Sequence, residues 1–417
     1  MVRSARWSRV ALAMGVVAAA VVVLPGTAHA FPQAATVQIK IDGSGGIWVE
    51  YGDDWRGVSS HLVVWMTPTG GVVLDDTSAM IAGFGCSDVA PPDQTMVRCE
   101  LPASLPAPEG LIARLGFGDD YLEIGGRVPF TLWTKILGED GNDTLLGGPE
   151  SDGLSGGSDN DHLEGRGGDD GLIGGAGADM MLGGSGVDSV AYHDKTTGIT
   201  ASLDGLTGND GEPGEGDTIG ADVESLSGGD GDDTLIGNDA DNYLYGCLGK
   251  DSLYGLSGND QLAGEADSPP YGVAVIPPWP AWGDCVVITS LAADLLVGGV
   301  GFDTVTYAWH EDPVVADLDG GIGDDGSTGE GDTILGVEGL VGGEDNDVLV
   351  GNDGPNYLNG QGGGDNMYGL ADADTLVGYQ GDDHLYGGAG ADLLYGDDGA
   401  DQCDLGTDGF LVFGCEA

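Results

Sequence analysis

The residues with the clearest chemistry are aspartates that recur every nine positions. From Gly138 the chain reads GEDGNDTLL, GGPESDGLS, GGSDNDHLE, GRGGDDGLI, GGAGADMML and GGSGVDSVA, six nonapeptides in unbroken phase ending at Ala191. Four more start at Gly228, one at Gly298, and seven run from Gly342 to Asp404, which makes eighteen. Position 1 is glycine in all of them. Position 6 is Asp143, Asp152, Asp161, Asp170, Asp179 and Asp188 in the first array, and Asp233, Asp251 and Asp260 in the second. It is Asp303 in the lone repeat, and Asp347, Asp365, Asp374, Asp383, Asp392 and Asp401 in the last array, with Asn242 and Asn356 the two exceptions. Aspartate favours turns in general, but that preference does not explain why position 6 is held while positions 3 and 5 vary. Carboxylates in so regular a set are the donors a hard divalent cation takes.

These residues must be positioned by short elements. Position 8 is apolar in every repeat, from Leu145, Leu154 and Leu163 to Leu385, Leu394 and Cys403. One inward residue per nine predicts a short strand with a thin core, and the glycines permit the tight turns between strands. The pattern resembles the GGxGxDxUx nonapeptide of the RTX, or hemolysin-type calcium-binding, repeat family. The resemblance implies an all-β fold, a right-handed parallel β-roll in which each nonapeptide forms one Gly-rich turn and one strand, with two nonapeptides to a coil.

Two nonapeptides per coil would stack equivalent turns every 18 residues. Asp143, Asp161 and Asp179 would then line one edge, and Asp152, Asp170 and Asp188 the other. Stacked carboxylates repel. Ca2+ between successive turns would relieve this repulsion, taking carboxylate oxygens and turn carbonyls to reach six to eight ligands, whereas Mg2+ prefers a tight octahedron with retained waters. The sixteen aspartates named above are therefore the expected metal ligands, with Ca2+ as the cofactor.

A longer repeat is superimposed on the short one. The stretch from Gly183 to Gly246 recurs from Gly298, so that Asp188 corresponds to Asp303 and Asp217 to Asp332. The insert at 192–227 reads as degenerate turns that continue the winding, and its Gly214-Glu215-Gly216-Asp217 run offers further ligands. Residues 264–293 break the phase and are expected to loop out, with Pro277, Pro278, Trp279, Pro280 and Trp282 exposed for a protein or glycan ligand or packed on the wall. Residues 31–137 are expected to form a small β-rich domain, and within it Leu115–Glu123 already matches the nonapeptide. The resulting organisation is a signal peptide at 1–30, this domain, roll segments at 138–263 and 294–404 around the loop, and a C-terminal cap at 405–417.

Charge and cysteines limit the partners and the compartment. The chain has 12 Lys+Arg against 70 Asp+Glu, for a net charge of −58, which excludes nucleic acid as a natural partner. Arg3, Arg6 and Arg9, an apolar run from Val10 to Leu24, and Ala28-His29-Ala30 before Phe31 read as a cleaved secretory signal, leaving no segment to insert in a membrane. The family members that carry their secretion signal at the C-terminus differ in this respect. Six cysteines in exported sequence suggest three disulfides, with Cys86–Cys99, Cys247–Cys285 and Cys403–Cys415 the preferred pairing among the fifteen possible.

Catalysis finds little support. His310-Glu311 lacks the second histidine of HExxH, and Gly153-Leu154-Ser155-Gly156-Gly157 fits GxSxG only inside the repeat phase. The expected protein is a secreted, non-enzymatic, calcium-binding one with a structural, cell-surface or adhesive role. The alternative is a small hydrolase or carbohydrate-binding module at the N-terminus with a calcium-stabilised tail.

Overall fold

The computed structural model describes residues 110–124, 133–264, 292–406 and 411–415, together with seven strands between residues 35 and 99. The leader, Cys285, and the Pro- and Trp-rich part of the 264–293 loop lie outside the described residues. Within those residues the regular structure is all strand. It forms the parallel β-roll expected of nonapeptide repeats.

Each repeat supplies a strand at positions 7 to 9, as in Thr144–Leu146, and several strands run on into the next turn, as in His162–Gly167. The strands pair in parallel at a separation of 18 residues. Leu145 lies opposite Leu163, Leu163 opposite Met181, and Leu154 opposite Leu172. Two nonapeptides therefore make one coil. Position 8 points inward, so Leu145, Leu154, Leu163, Leu172, Met181 and Val190 are at most 1 % exposed and join a single core that continues to Leu394. Every coil thus adds two inward apolar side chains, a thin core for its length.

The two faces of the roll are organised differently. One sheet of 17 strands runs the whole way and ends at Leu411–Phe413. The other face is divided into sheets of nine, five and six strands. The divisions fall at the two copies of the longer repeat. In the long sheet Val190 pairs directly with Leu226 and Val305 with Leu340, so the chain between them adds no strand there. On the second face Thr218–Ile219 is the last strand paired to the nine-stranded sheet, whereas Thr200–Ser202 opens the next one. The insert at 192–227 therefore interrupts the winding on one face while leaving the other in register.

The parallel ladder also extends before residue 138. Gly110–Phe117 pairs with both Ile47–Gly52 and Trp133–Asp140, and Tyr121–Ile124 pairs with both His61–Met66 and Thr144–Leu146. Antiparallel strands flank it, and one such register sets Cys86 opposite Cys99. At the other end Cys403 is bonded to Cys415, and Leu411–Phe413 lies one rung beyond Leu393–Asp398 with its apolar side chains exposed.

Glycine at position 1 follows from packing. A β-carbon on Gly156 would lie 2.2 Å from the Asp161 carboxylate and 2.6 Å from the Gly174 carbonyl oxygen, and the conflict with the carboxylate recurs at Gly138, Gly165 and Gly360. Leu163→Ala is expected to cost about 2–5 kcal/mol in the calcium-saturated protein. Gly156→Ala, which places a methyl group where the carboxylate sits, should cost at least as much. Urea denaturation of both variants beside the parent chain checks this order.

Candidate metal centre

The position-6 aspartates form continuous ladders along the two edges of the roll. Asp161 Oδ1 accepts the backbone N–H of Asp143 at 2.7 Å, and Asp179 Oδ1 accepts that of Asp161 at 2.8 Å. On the opposite edge Asp152 donates in the same way to Asp170, and Asp170 to Asp188. The later ladders run from Asp233 to Asp251, from Asn242 through Asp260 to Asp303, from Asp347 through Asp365 and Asp383 to Asp401, and from Asn356 through Asp374 to Asp392. Asp143, Asp152, Asp233 and Asp347 begin their runs of repeats and accept from Asp120, Thr134, Ile199 and Val314. All sixteen aspartates expected as ligands are therefore brought into these ladders, each no more than 3 % exposed.

The second carboxylate oxygen separates two kinds of turn. In thirteen of the eighteen repeats it is buried without a hydrogen-bond donor from the protein: at Asp143, Asp161, Asp170, Asp179, Asp188, Asp251, Asp260, Asp303, Asp365, Asp374, Asp383, Asp392 and Asp401. In each of these open turns the position-2 residue has positive φ, from Gly157 at 120° to side-chain-bearing residues such as Arg166 at 77° and Leu256 at 80°. In the other five, the closed turns, the oxygen at position 6 accepts the N–H of position 2. The pairs are Gly148 to Asp152, Gly229 to Asp233, Asn238 to Asn242, Gly343 to Asp347 and Asn352 to Asn356.

Burying an unpaired charged oxygen is costly, and the carboxyl groups respond to it. Burial, reinforced by Asp152 and Asp188, pushes Asp170 up to about 9. Burial, with Asp179 and Asp143 adding to it, pushes Asp161 up to about 8, and burial raises Asp251 and Asp365 to about 8 as well. A hard cation meets this demand with the same oxygens. The donor set is carboxylate and backbone carbonyl, the combination suited to Ca2+. One residue of the chain demonstrates the carbonyl's availability: Lys195 Nζ donates to the position-2 carbonyl of Gly175 at 2.5 Å.

Several ladder members lie outside the expected set. Asp217 accepts from Asp179, Asp294 from Asp251, and Asp332 from Asp294. Glu224 and Glu338 take the corresponding place after Asp188 and Asp303. Asp120 was signalled by the nonapeptide match at 115–123, and Asp217 by its Gly-Glu-Gly-Asp run. Asp294 was hidden by the loop that precedes it, since 34 residues separate it from Asp260.

Comparison with known families agrees with this geometry. The family model described as the RTX calcium-binding nonapeptide repeat matches residues 135–154, 155–190, 218–252, 227–262, 248–268, 341–376 and 368–403. The matched stretches are RTX calcium-binding nonapeptide repeats, and such repeats bind Ca2+. No curated protein matches the chain significantly.

Raised carboxyl pKa values set the direction of pH dependence. A carboxyl near 3.8 when unfolded but between 6 and 9 in the roll, as for Asp179 and Asp170, favours the fold fully below about pH 4. That contribution is lost as pH rises through the folded value. In chelator the roll is therefore expected to be more stable at pH 5 than at pH 9. With saturating calcium the order should reverse, because protons and the ion compete for the same oxygens. Urea midpoints at the two pH values, with and without chelator, check both statements.

Proposed function

We propose that this chain is a secreted, non-catalytic protein whose roll is completed by calcium, and that it serves a structural or adhesive role outside the cell. The observation that carries the proposal is the unpaired second oxygen repeated at thirteen turns. In this reading Asp143, Asp161, Asp170, Asp179, Asp188, Asp251, Asp260, Asp303, Asp365, Asp374, Asp383, Asp392 and Asp401 hold the ions, together with carbonyls of their Gly-rich turns. Asp152, Asp233 and Asp347 contribute as the preceding rung of the sites at Asp170, Asp251 and Asp365. Bound calcium would supply the positive charge that lets the carboxylates stack. The residues in turn hold the ion in an oxygen cage and keep water from the strands beneath.

Export is supported by the leader-like N-terminus and by cysteine usage. Cys247 is disulfide-bonded, as is the Cys403–Cys415 pair. Extracellular modules typically bind calcium at about 10⁻⁴ to 10⁻³ M, which matches calcium supply outside cells. Among the described residues no helix is long and apolar enough to cross a membrane.

Circular dichroism of residues 31–417, titrated with calcium after chelation, tests the proposal. A gain of β signal near millimolar calcium, absent with magnesium, is expected. A chain already fully β in chelator and silent to calcium would refute it. At saturation, Asp161→Asn should reduce the bound calcium measured by equilibrium dialysis by about one to two ions per chain, since Asp161 serves its own site and that of Asp179 and an amide offers a weaker, uncharged ligand.

A further inference from the structure

We propose that each copy of the longer repeat is a calcium-independent joint, in which groups of the chain itself replace the ion, so that the calcium-dependent turns form three separate blocks. This rests on the calcium reading above and divides the chain more finely than that reading does.

The closed turns are the first observation. Asp233 and Asn242 follow the first copy of the insert, and Asp347 and Asn356 follow the second. Their acceptor oxygens take position-2 N–H groups at 2.7, 2.7, 2.6 and 2.8 Å. The residues one rung earlier on their edges are Ile199, Glu224, Val314 and Glu338, none of which belongs to a nonapeptide turn. Without a Gly-rich turn before it to supply the other half of an ion site, each acceptor is satisfied within its own loop.

At the ladder positions inside the joints, side chains take over the same task. Asp217 and Asp332 hold ladder positions, yet their second oxygens accept the hydroxyls of Tyr192 and Tyr307 at 3.0 and 2.9 Å. Both tyrosines are 2 % exposed. In the first joint a cation is built in as well. Lys195 is 6 % exposed, and its ammonium bonds both Glu215 and the Gly175 carbonyl at 2.5 Å. It therefore places a positive charge between the turn of Asp179 and that of Asp217. His310 stands at the matching place in the second joint, 2.9 Å from Ser327 Oγ and 3.8 Å from Glu330.

The joints also carry their own core. Tyr192, Ile199, Ala201, Leu203, Ile219 and Val223 are nearly or fully buried in the first, and Tyr307, Val314, Ala316, Leu318, Ile334 and Val337 match them in the second. That is far denser apolar packing than one inward residue per nine. The divided face of the roll changes sheet at these same two places.

Hydrogen exchange with mass spectrometry, on the full chain in chelator and then in millimolar calcium, tests the proposal. Peptides from 192–227 and 307–341 are expected to be protected in both conditions, and those from 156–191, 246–263 and 360–404 only with calcium. If the joints exchange as fast as the arrays in chelator and recover with them in calcium, the joint proposal is overturned while calcium binding stands. If the array peptides ignore calcium, the underlying reading fails, and this proposal with it. Lys195→Met, which leaves Glu215 buried without its cation, should speed exchange at 192–227 in chelator at least about tenfold while sparing 307–341. Unchanged exchange there would overturn the role given to the ammonium.

Discussion

Carboxylates stacked on carboxylates at the spacing of neighbouring strands, about 4.8 Å, are the constraint from which the rest of the structure follows. The ladder brings one oxygen of each aspartate to the amide of the preceding rung and leaves the other to be satisfied from the turn. Glycine at position 1 makes room for the carboxylate. Positive φ at position 2 distinguishes the turns that leave the second oxygen open from those that answer it with an N–H. The inward residue at position 8 holds the strands together.

Much of this was legible in the sequence because the two periodic positions have separate physical tasks. The nonapeptide phase placed Leu163 inside and Asp161 on an edge, and the pairing of Leu145 with Leu163 bears out two repeats to a coil. The difference between Asp152 and Asp161 was not legible, since both occupy position 6 after glycine at positions 1 and 2. It arises one rung away: Asp161 follows the nonapeptide turn of Asp143, whereas Asp152 follows Thr134, which donates from both its backbone and its hydroxyl. A pattern read along the chain does not contain the neighbour across the sheet. Asp294 escaped for a related reason, because a long loop separates it in sequence from the coil it completes.

The two copies of the longer repeat show how one backbone solution tolerates different side chains. Tyr192 and Tyr307 keep the same hydroxyl-to-carboxylate bond, and the carboxyl partners Asp217 and Asp332 are retained with them. Lysine and histidine, by contrast, occupy the matching place beside Glu215 and Glu330. The geometry of the backbone is shared, but only the first copy carries a built-in cation there, since burial pushes His310 down to about 4.

The unbroken sheet has a consequence for how such a chain can change in length. The unit from Asp188 to Asp303 enters and leaves on the same face, with Val190 opposite Leu226 and Val305 opposite Leu340. Recombination that copies or deletes a whole unit therefore rejoins inward residues to inward residues. No register slip has to be repaired, and the new end meets a strand of the kind it replaced. The number of coils becomes a heritable quantity that evolution can adjust in large steps, with the fold of each part left as it was.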